Sequence, residues 1–166
     1  KEVIQKAIDL SKYQLEKEEI LLSLRMKEDL EVFGFKNELI HVLLNLINNS
    51  KDVLATKTQL SKRLIHIMRN QTKGAIFMRV IDNGGGIKSD IITKVFDPYF
   101  TTKHKSIGTG IGLYMSKQMV EKHMHGNISA KNIRHKLGTN AFFACTMFTI
   151  AIPKKNRDEY IEDTHE

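Results

Sequence analysis

The residues best suited to chemistry gather in three places, and the first is a run of amides. From Asn37 the chain reads NELIHVLLNLINNSKDVL. At ~100° per residue on a helix, His41, Asn45, Asn48 and Asp52 share one narrow stripe, with Asn49 beside it. The rest of that surface is Leu, Ile and Val, so the helix is expected to be mostly buried. Its polar stripe must then meet polar partners, because a buried amide without a hydrogen bond is costly. An amide oxygen is a hard, neutral ligand suited to Mg²⁺, which keeps several waters and takes one or two protein ligands. A solvated helix face would look similar. However, this chain covers its evident surfaces with Lys and Glu, and Asn is a poor helix former.

The second place is DNGGGI, Asp82–Ile87, which follows an apolar run. Glycine admits positive φ and lets a backbone approach a ligand closely. An aspartate at a strand end can accept a hydrogen bond from the exocyclic amine of adenine, where guanine would present an oxygen. The same residues also suit a tight turn closed by a side-chain cap. The third place is GTGIGL, Gly108–Leu113. Alternating glycines opening a helix present free N–H groups and the positive end of a helix dipole, which favours an anion such as phosphate. Their spacing is neither the dinucleotide fingerprint nor a Walker loop. Between the two glycine segments lies FDPYFTTK, Phe96–Lys103. Phe96, Tyr99 and Phe100 are expected to anchor this loop by burying aromatic surface. Next come His104–Ile107, without such anchors, and the pattern suits a lid with Lys103 or Lys105 reaching phosphates. Gly138-Thr139 is a fourth and less specific pair.

The elements that must position these segments follow from periodicity. Helical spacing of Val3, Ile4, Ala7, Ile8 and Leu15 predicts a helix over 2–17. Strands are expected at Ile20–Met26 and Leu30–Phe35, then the long helix Asn37–Leu54. Leu64–Met68 and Ile76–Ile81 read as a hairpin turning near Asn70–Gly74. Ser89–Val95 reads as a short helix with Ser89 as its N-cap. Residues 97–109 form a loop, Ile111–His125 a helix stopped by Gly126, and Asn127–Ile133 and Thr146–Ile152 the final strands, with Pro153 ending the second. This order lacks the regular alternation of a doubly wound sheet and suits helices layered on one face of a mixed sheet, an α+β fold.

Composition narrows the function classes. With 166 residues the chain fits one domain, and 41% hydrophobic with 27% charged residues is ordinary for a globular protein. No apolar run has the length of a membrane span, and Lys1-Glu2-Val3-Ile4 is not a signal peptide. Cys145 is the only cysteine, which precludes an internal disulfide or a cysteine zinc cluster and points to a reducing, cytoplasmic setting. The net charge of +7 is scattered, without a basic run interleaved with aromatics, so nucleic acid is not expected as a partner. The abrupt charged ends read as those of an excised piece.

Taken together and in order, these segments resemble the ATP-binding catalytic domain of sensor histidine kinases, in the superfamily that includes DNA gyrase, MutL and the heat-shock chaperone ATPases. NLINNSKD resembles its N box, DNGGGI its first glycine box, FDPYFTTK its F box and GTGIGL its second. The resemblance spans the chain from the first helix to Pro153. It implies a two-layer α/β sandwich of the Bergerat type, with a mixed, mostly antiparallel sheet, helices on one face and a mobile lid. It implies ATP and Mg²⁺ as cofactors, with Asn49 ligating the metal and Asn45 supporting the metal or phosphates at the catalytic position. Asp82 would read the adenine amine, with Gly84, Gly86 and Ile87 against the base. Gly108, Thr109, Gly110, Gly112 and Leu113 would cradle the phosphates. Asp52, Lys103 and Thr146 complete the implied nucleotide contacts.

The implied reaction is phosphorylation of a histidine on a separate dimerisation domain in two-component signalling, with a response regulator downstream and the isolated domain a monomer and a weak enzyme. The alternative is an ATP-hydrolysing clamp of the gyrase or MutL type. Where such relatives carry a glutamate that activates water, this chain has Asn45, and an amide is no general base. The chain also departs from the family pattern. The phosphoacceptor domain looks absent, since only His165 precedes an acid. An insertion separates Gly138-Thr139 from Pro153, so either Thr139 or Thr146 is the threonine near adenine. Ser50 stands where a smaller residue is common, and Asp52 where many relatives have a basic one. The whole reading requires Asn49, Asp82 and Gly110 to surround one cavity.

Overall fold

The computed structural model describes residues 1–26, 35–102, 108–138 and 140–154. In chain order they form α1 (Glu2–Lys17), β1 (Ile20–Met26), α2 (Lys36–Ala55), β2 (Arg63–Gln71), β3 (Ala75–Asp82), α3 (Gly112–Gln118), β4 (Asn127–His135) and β5 (Phe143–Pro153). A single 3-10 turn, Ile92–Lys94, lies between β3 and α3, and a π turn, Met119–His123, prolongs α3. The strands make one sheet in the order β1-β2-β3-β5-β4. β1 and β2 are parallel and the other neighbours antiparallel, which makes the sheet mixed and mostly antiparallel. A parallel pair needs a crossover connection, and α2 lies on it.

Alternation along the strands sorts the sheet into two faces. Ile65 and Ile67 of β2, Met78 and Val80 of β3, Ile128 of β4 and Phe148, Ile150 and Ile152 of β5 point to one face and join the helices in a single core. α1 contributes Ile4, Ala7 and Leu15 at helical spacing, and its buried Ser11 is satisfied by donating to the Ala7 carbonyl at 2.8 Å. α2 buries Leu39, Val42, Leu43, Leu46, Ile47 and Leu54. The opposite face carries a smaller cluster of Leu64, Ile81, Cys145 and Leu137. Leu137 lies past the end of β4, and the ring of His135 comes 6.2 Å from that of His66 on β2, so the β4–β5 hairpin end curls over this face.

Two sequence expectations change here. Ser89–Val95 is not a capped helix: turns lead into the 3-10 turn, which has no side-chain cap. Ile91 and Val95 from this stretch face a cavity described below, so the apolar spacing there reflects a pocket wall. Tyr99 is 76% exposed with φ 62°, whereas Phe96 packs edge-on to Phe148 with ring centroids 6.3 Å apart. Phe96 therefore anchors the loop and Tyr99 does not. The expected strand Leu30–Phe35 falls almost wholly outside the described residues.

α2 packs against α1, β2 and β3, and Leu43 has no exposed surface. Leu43→Ala should lower unfolding free energy by about 2–5 kcal/mol, read as a lower urea midpoint at unchanged slope. A loss within error would show that the helix is not a core element.

Candidate functional site

The β2–β3 end is built by side chains that continue the sheet after its strands stop. Asn83 donates its N–H to the Leu64 carbonyl at 3.2 Å. Its Oδ1 accepts from the Leu64 N–H at 2.7 Å and its Nδ2 donates to the Lys62 carbonyl at 2.9 Å. This buried amide acts as one more rung of the ladder and holds Asp82 at a defined place. Asp82 is 2% exposed, yet its Oδ1 accepts from the Gly84 N–H at 2.9 Å and its Oδ2 from the Ser50 hydroxyl at 3.0 Å. Thr146, its cross-strand neighbour on β5, is a third hydrogen-bond partner. Burial pushes the carboxyl up to about 6, against the opposing effect of the three donors. Ser50, which stands where the family resemblance leads one to expect a smaller residue, thus has a defined task.

Asn45 and Asn49, one turn apart on α2, meet the start of α3. Asn45 donates Nδ2 to the Ser116 hydroxyl at 2.8 Å. Asn49 donates Nδ2 to the Asn45 carbonyl at 2.9 Å, with Asn45 Oδ1 at 3.4 Å. A carbonyl only accepts, so this bond assigns the Asn49 nitrogen and leaves Oδ1 as its available acceptor. Gly112 makes the contact possible: a Cβ there would stand 2.5 Å from Asn45 Oδ1.

These elements enclose a cavity of about 610 Å³, a size usual for small-molecule sites. Asn45, Asn49, Asp82, Gly86, Ile87 and Thr146 line it from the α2 and sheet side. Gly108, Thr109, Gly110, Gly112 and Leu113 line it from the α3 side. Gly84 lies beneath Asp82 against Val53 and is not part of the lining. Asp52 is turned aside and pairs with Lys51 at 3.3 Å. The rest of the predicted polar stripe, His41 and Asn48, is also absent from the described lining. Lys103 and Thr139 lie outside the described residues. Sequence reasoning missed the apolar wall of Val53, Ile91, Val95 and Phe148, and also Phe100 as a lining residue. Val53 alone left a signal, one position along α2 from the polar stripe.

The sequence profile described as "Histidine kinase-, DNA gyrase B-, and HSP90-like ATPase" matches residues 34–156. The chain belongs to this ATPase family. It is 35% identical over 103 residues to the two-component sensor PprA of Pseudomonas aeruginosa, covering 61% of this chain and 11% of that protein. It is 33% identical over 119 residues to a probable C4-dicarboxylate sensor kinase of Halalkalibacterium halodurans, covering 72% and 20%. Among solved structures, the nucleotide-free catalytic domain of histidine kinase ThkA matches with a TM-score of 0.72 at 25% identity, over 93% of this chain and 94% of that one. The chain spans 11% to 22% of the length of the curated relatives it matches. The fold of the ATPase family accordingly matches the mixed sheet described above.

The Asp82 carboxyl binds its proton more tightly in the folded domain, at about 6, than at the ordinary 3.8 of an unfolded chain. Its contribution to stability is full below the lower value and fades as pH rises through 6. At roughly 1.4 kcal/mol per pH unit, the change is on the order of 3 kcal/mol. The melting-temperature difference between wild type and Asp82→Asn should favour wild type most near pH 4 and shrink or invert by pH 7.5. A difference independent of pH would show an ordinary carboxyl.

Proposed function

We propose that this ATPase-family domain binds Mg-ATP and supplies its γ-phosphoryl group to a histidine on a separate dimerisation domain in two-component signalling. The observation that carries the reading is that Asn49, Asp82 and Gly110, far apart in sequence, line one cavity. Family membership and the sensor-kinase relatives support it. The same fold occurs, at 14% identity and a TM-score of 0.72, in full-length ShkA solved in complex with AMPPNP.

On this reading Asp82 accepts a hydrogen bond from the exocyclic amine of adenine, with Thr146 beside it. Gly86 and Ile87 lie along the base, and the Val53–Phe148 wall supplies apolar contact and excludes water. Main-chain N–H groups of Gly108, Gly110 and Gly112 donate to the phosphates, with Thr109 and Leu113 shaping that end. By the family resemblance Lys103 would reach the phosphates. The donor set fits Mg²⁺: Asn49 offers one neutral hard oxygen, and this ion keeps most of its waters. Asn49 Oδ1 would hold it, where it neutralises phosphate charge. Asn45 orients Asn49 and α3. In the transfer, the imidazole nitrogen bonds to the γ-phosphorus, the bond to the β–γ bridging oxygen breaks, ADP leaves, and the imidazole proton goes to solvent. Positioning and charge neutralisation carry most of the rate.

The hydrolytic clamp is the weaker reading, because the described lining offers Asp82 and Asp90 as its only carboxylates and neither is on α2. In the cell we place the domain in the cytoplasm, monomeric when isolated, with a response regulator as the indirect partner. Among the described residues, no helix is long and apolar enough to cross a membrane.

Calorimetric titration of the chain with ADP tests the site. Asp82→Ala should weaken binding by at least about tenfold. Asn49→Ala should abolish the gain in affinity that Mg²⁺ gives over a chelator. Undiminished ADP binding by Asp82→Ala would remove the adenine assignment. For the reaction, the chain with γ-labelled ATP should label a separately supplied histidine domain, and sustained phosphate release without an acceptor would revive the clamp.

A further inference from the structure

Asn132 of β4 belongs to none of the sequence motifs, yet its amide grips the first glycine segment with both ends. Its Oδ1 accepts from the Ile87 N–H at 2.8 Å, and its Nδ2 donates to the Ile87 carbonyl at 2.6 Å. One side chain thus answers both main-chain groups of one residue, as a neighbouring strand would. The pairing also assigns the amide, since an N–H only donates and a carbonyl only accepts. The same hairpin adds a third tie: the Gly85 N–H donates to the Ala144 carbonyl at 3.2 Å.

Register places this grip beside the pocket. Asn132 pairs with Thr146 on β5, and Thr146 pairs with Asp82 on β3. The three side chains therefore form one row across the sheet, on the face that bears the helices. At one end of the row Asp82 lies in the cavity; at the other, Asn132 holds Ile87, which lines it too. Gly86, between them, has φ 87°, and a Cβ there would come 2.8 Å from Asn132 Oδ1. The glycine and the asparagine are thus fitted to each other. A free loop of three glycines would sample many conformations, whereas this one is held at both ends.

We propose that Asn132 is a positioning residue for nucleotide recognition, holding Gly86 and Ile87 at the distance from Asp82 that admits one adenine ring. The inference rests on the nucleotide reading above. It makes base discrimination a property of the β4–β5 hairpin as well as of Asp82.

The test uses the whole chain and competition of ADP and GDP against a fluorescent ADP analogue. Asn132→Ala should weaken ADP about tenfold, the scale of two lost hydrogen bonds, and should reduce the ADP-over-GDP ratio, with a melting temperature near that of wild type. Asn132→Asp has almost the same size but sets an oxygen against the Ile87 carbonyl, so it should be as impaired as Asn132→Ala. Unchanged ADP affinity in either folded variant, or equal losses for ADP and GDP, would overturn the proposal. Should neither variant fold, amide exchange at Ile87 in wild type decides: slow exchange supports the grip, and exchange at the rate of a free amide sinks it. A wild type that binds no ADP refutes the nucleotide reading itself, while one that binds it indifferently to Asn132 refutes only this inference.

Discussion

The arrangement depends on how α2 disposes of its polar atoms. The helix is buried along most of its length, and a buried polar group without a partner destabilises a fold by more than a typical hydrogen bond stabilises it. α2 resolves this at one edge. Ser50 donates to Asp82, Asn45 to Ser116, and Asn49 to its own preceding turn. Each of these bonds joins α2 to an element that closes the cavity, or turns an amide oxygen free for it. Satisfying the helix and building the site are therefore one operation. A helix made apolar along this edge would pack as well but would lose its register against β3 and α3.

The sheet end imposes a second condition. After β3 the chain must turn away without leaving the carboxylate of Asp82 unpaired, and the solution uses side chains as substitute backbone. Asn83 extends the β2–β3 ladder, and Asn132 pairs with Ile87 in the manner of a strand. Between these two fixed points Gly85 and Gly86 take positive φ, which a β-carbon makes costly for other residues. The first glycine segment is therefore best seen as backbone pinned at both ends by asparagine amides. Loop flexibility has little part in its shape.

Much of this was legible in one dimension. α1, β1, α2 and the β2–β3 hairpin follow from apolar periods of 3.6 and 2, and their bounds differ little from those expected. The site residues expected in both glycine segments also line one cavity, apart from Gly84. What escaped the sequence has physical causes. Ile91 and Val95 look like a helix face because a pocket wall and a core select the same side chains. Tyr99 is as aromatic as Phe96, and only tertiary packing distinguishes the exposed ring from the anchored one. The β4–β5 hairpin reaches His135 and starts again at Phe143 because the strand ends curl over the second face, where charged and aromatic residues alternate without a clear period. Asn132 was hidden because its meaning lies in a partner 45 positions away. Asp52 shared the helical stripe of Asn45 and Asn49, but a stripe fixes an angle around the axis and says nothing about where along it the cavity ends.

The same accounting of lone pairs bears on the chemistry proposed here. A hydrolase needs a basic atom beside the attacking water, free to take a proton. Asp82 is a carboxylate, but its oxygens already accept from Gly84, Ser50 and Thr146, and on the proposed reading it faces the base, remote from the phosphates. Asn45 stands on α2 where such a base would be useful, yet its nitrogen is engaged by Ser116 and its oxygen lies within reach of Asn49. An amide in that position orients its neighbours and accepts no proton. A site organised in this way suits an acceptor that brings its own nucleophilic lone pair, and a neutral imidazole nitrogen does so without help from a base.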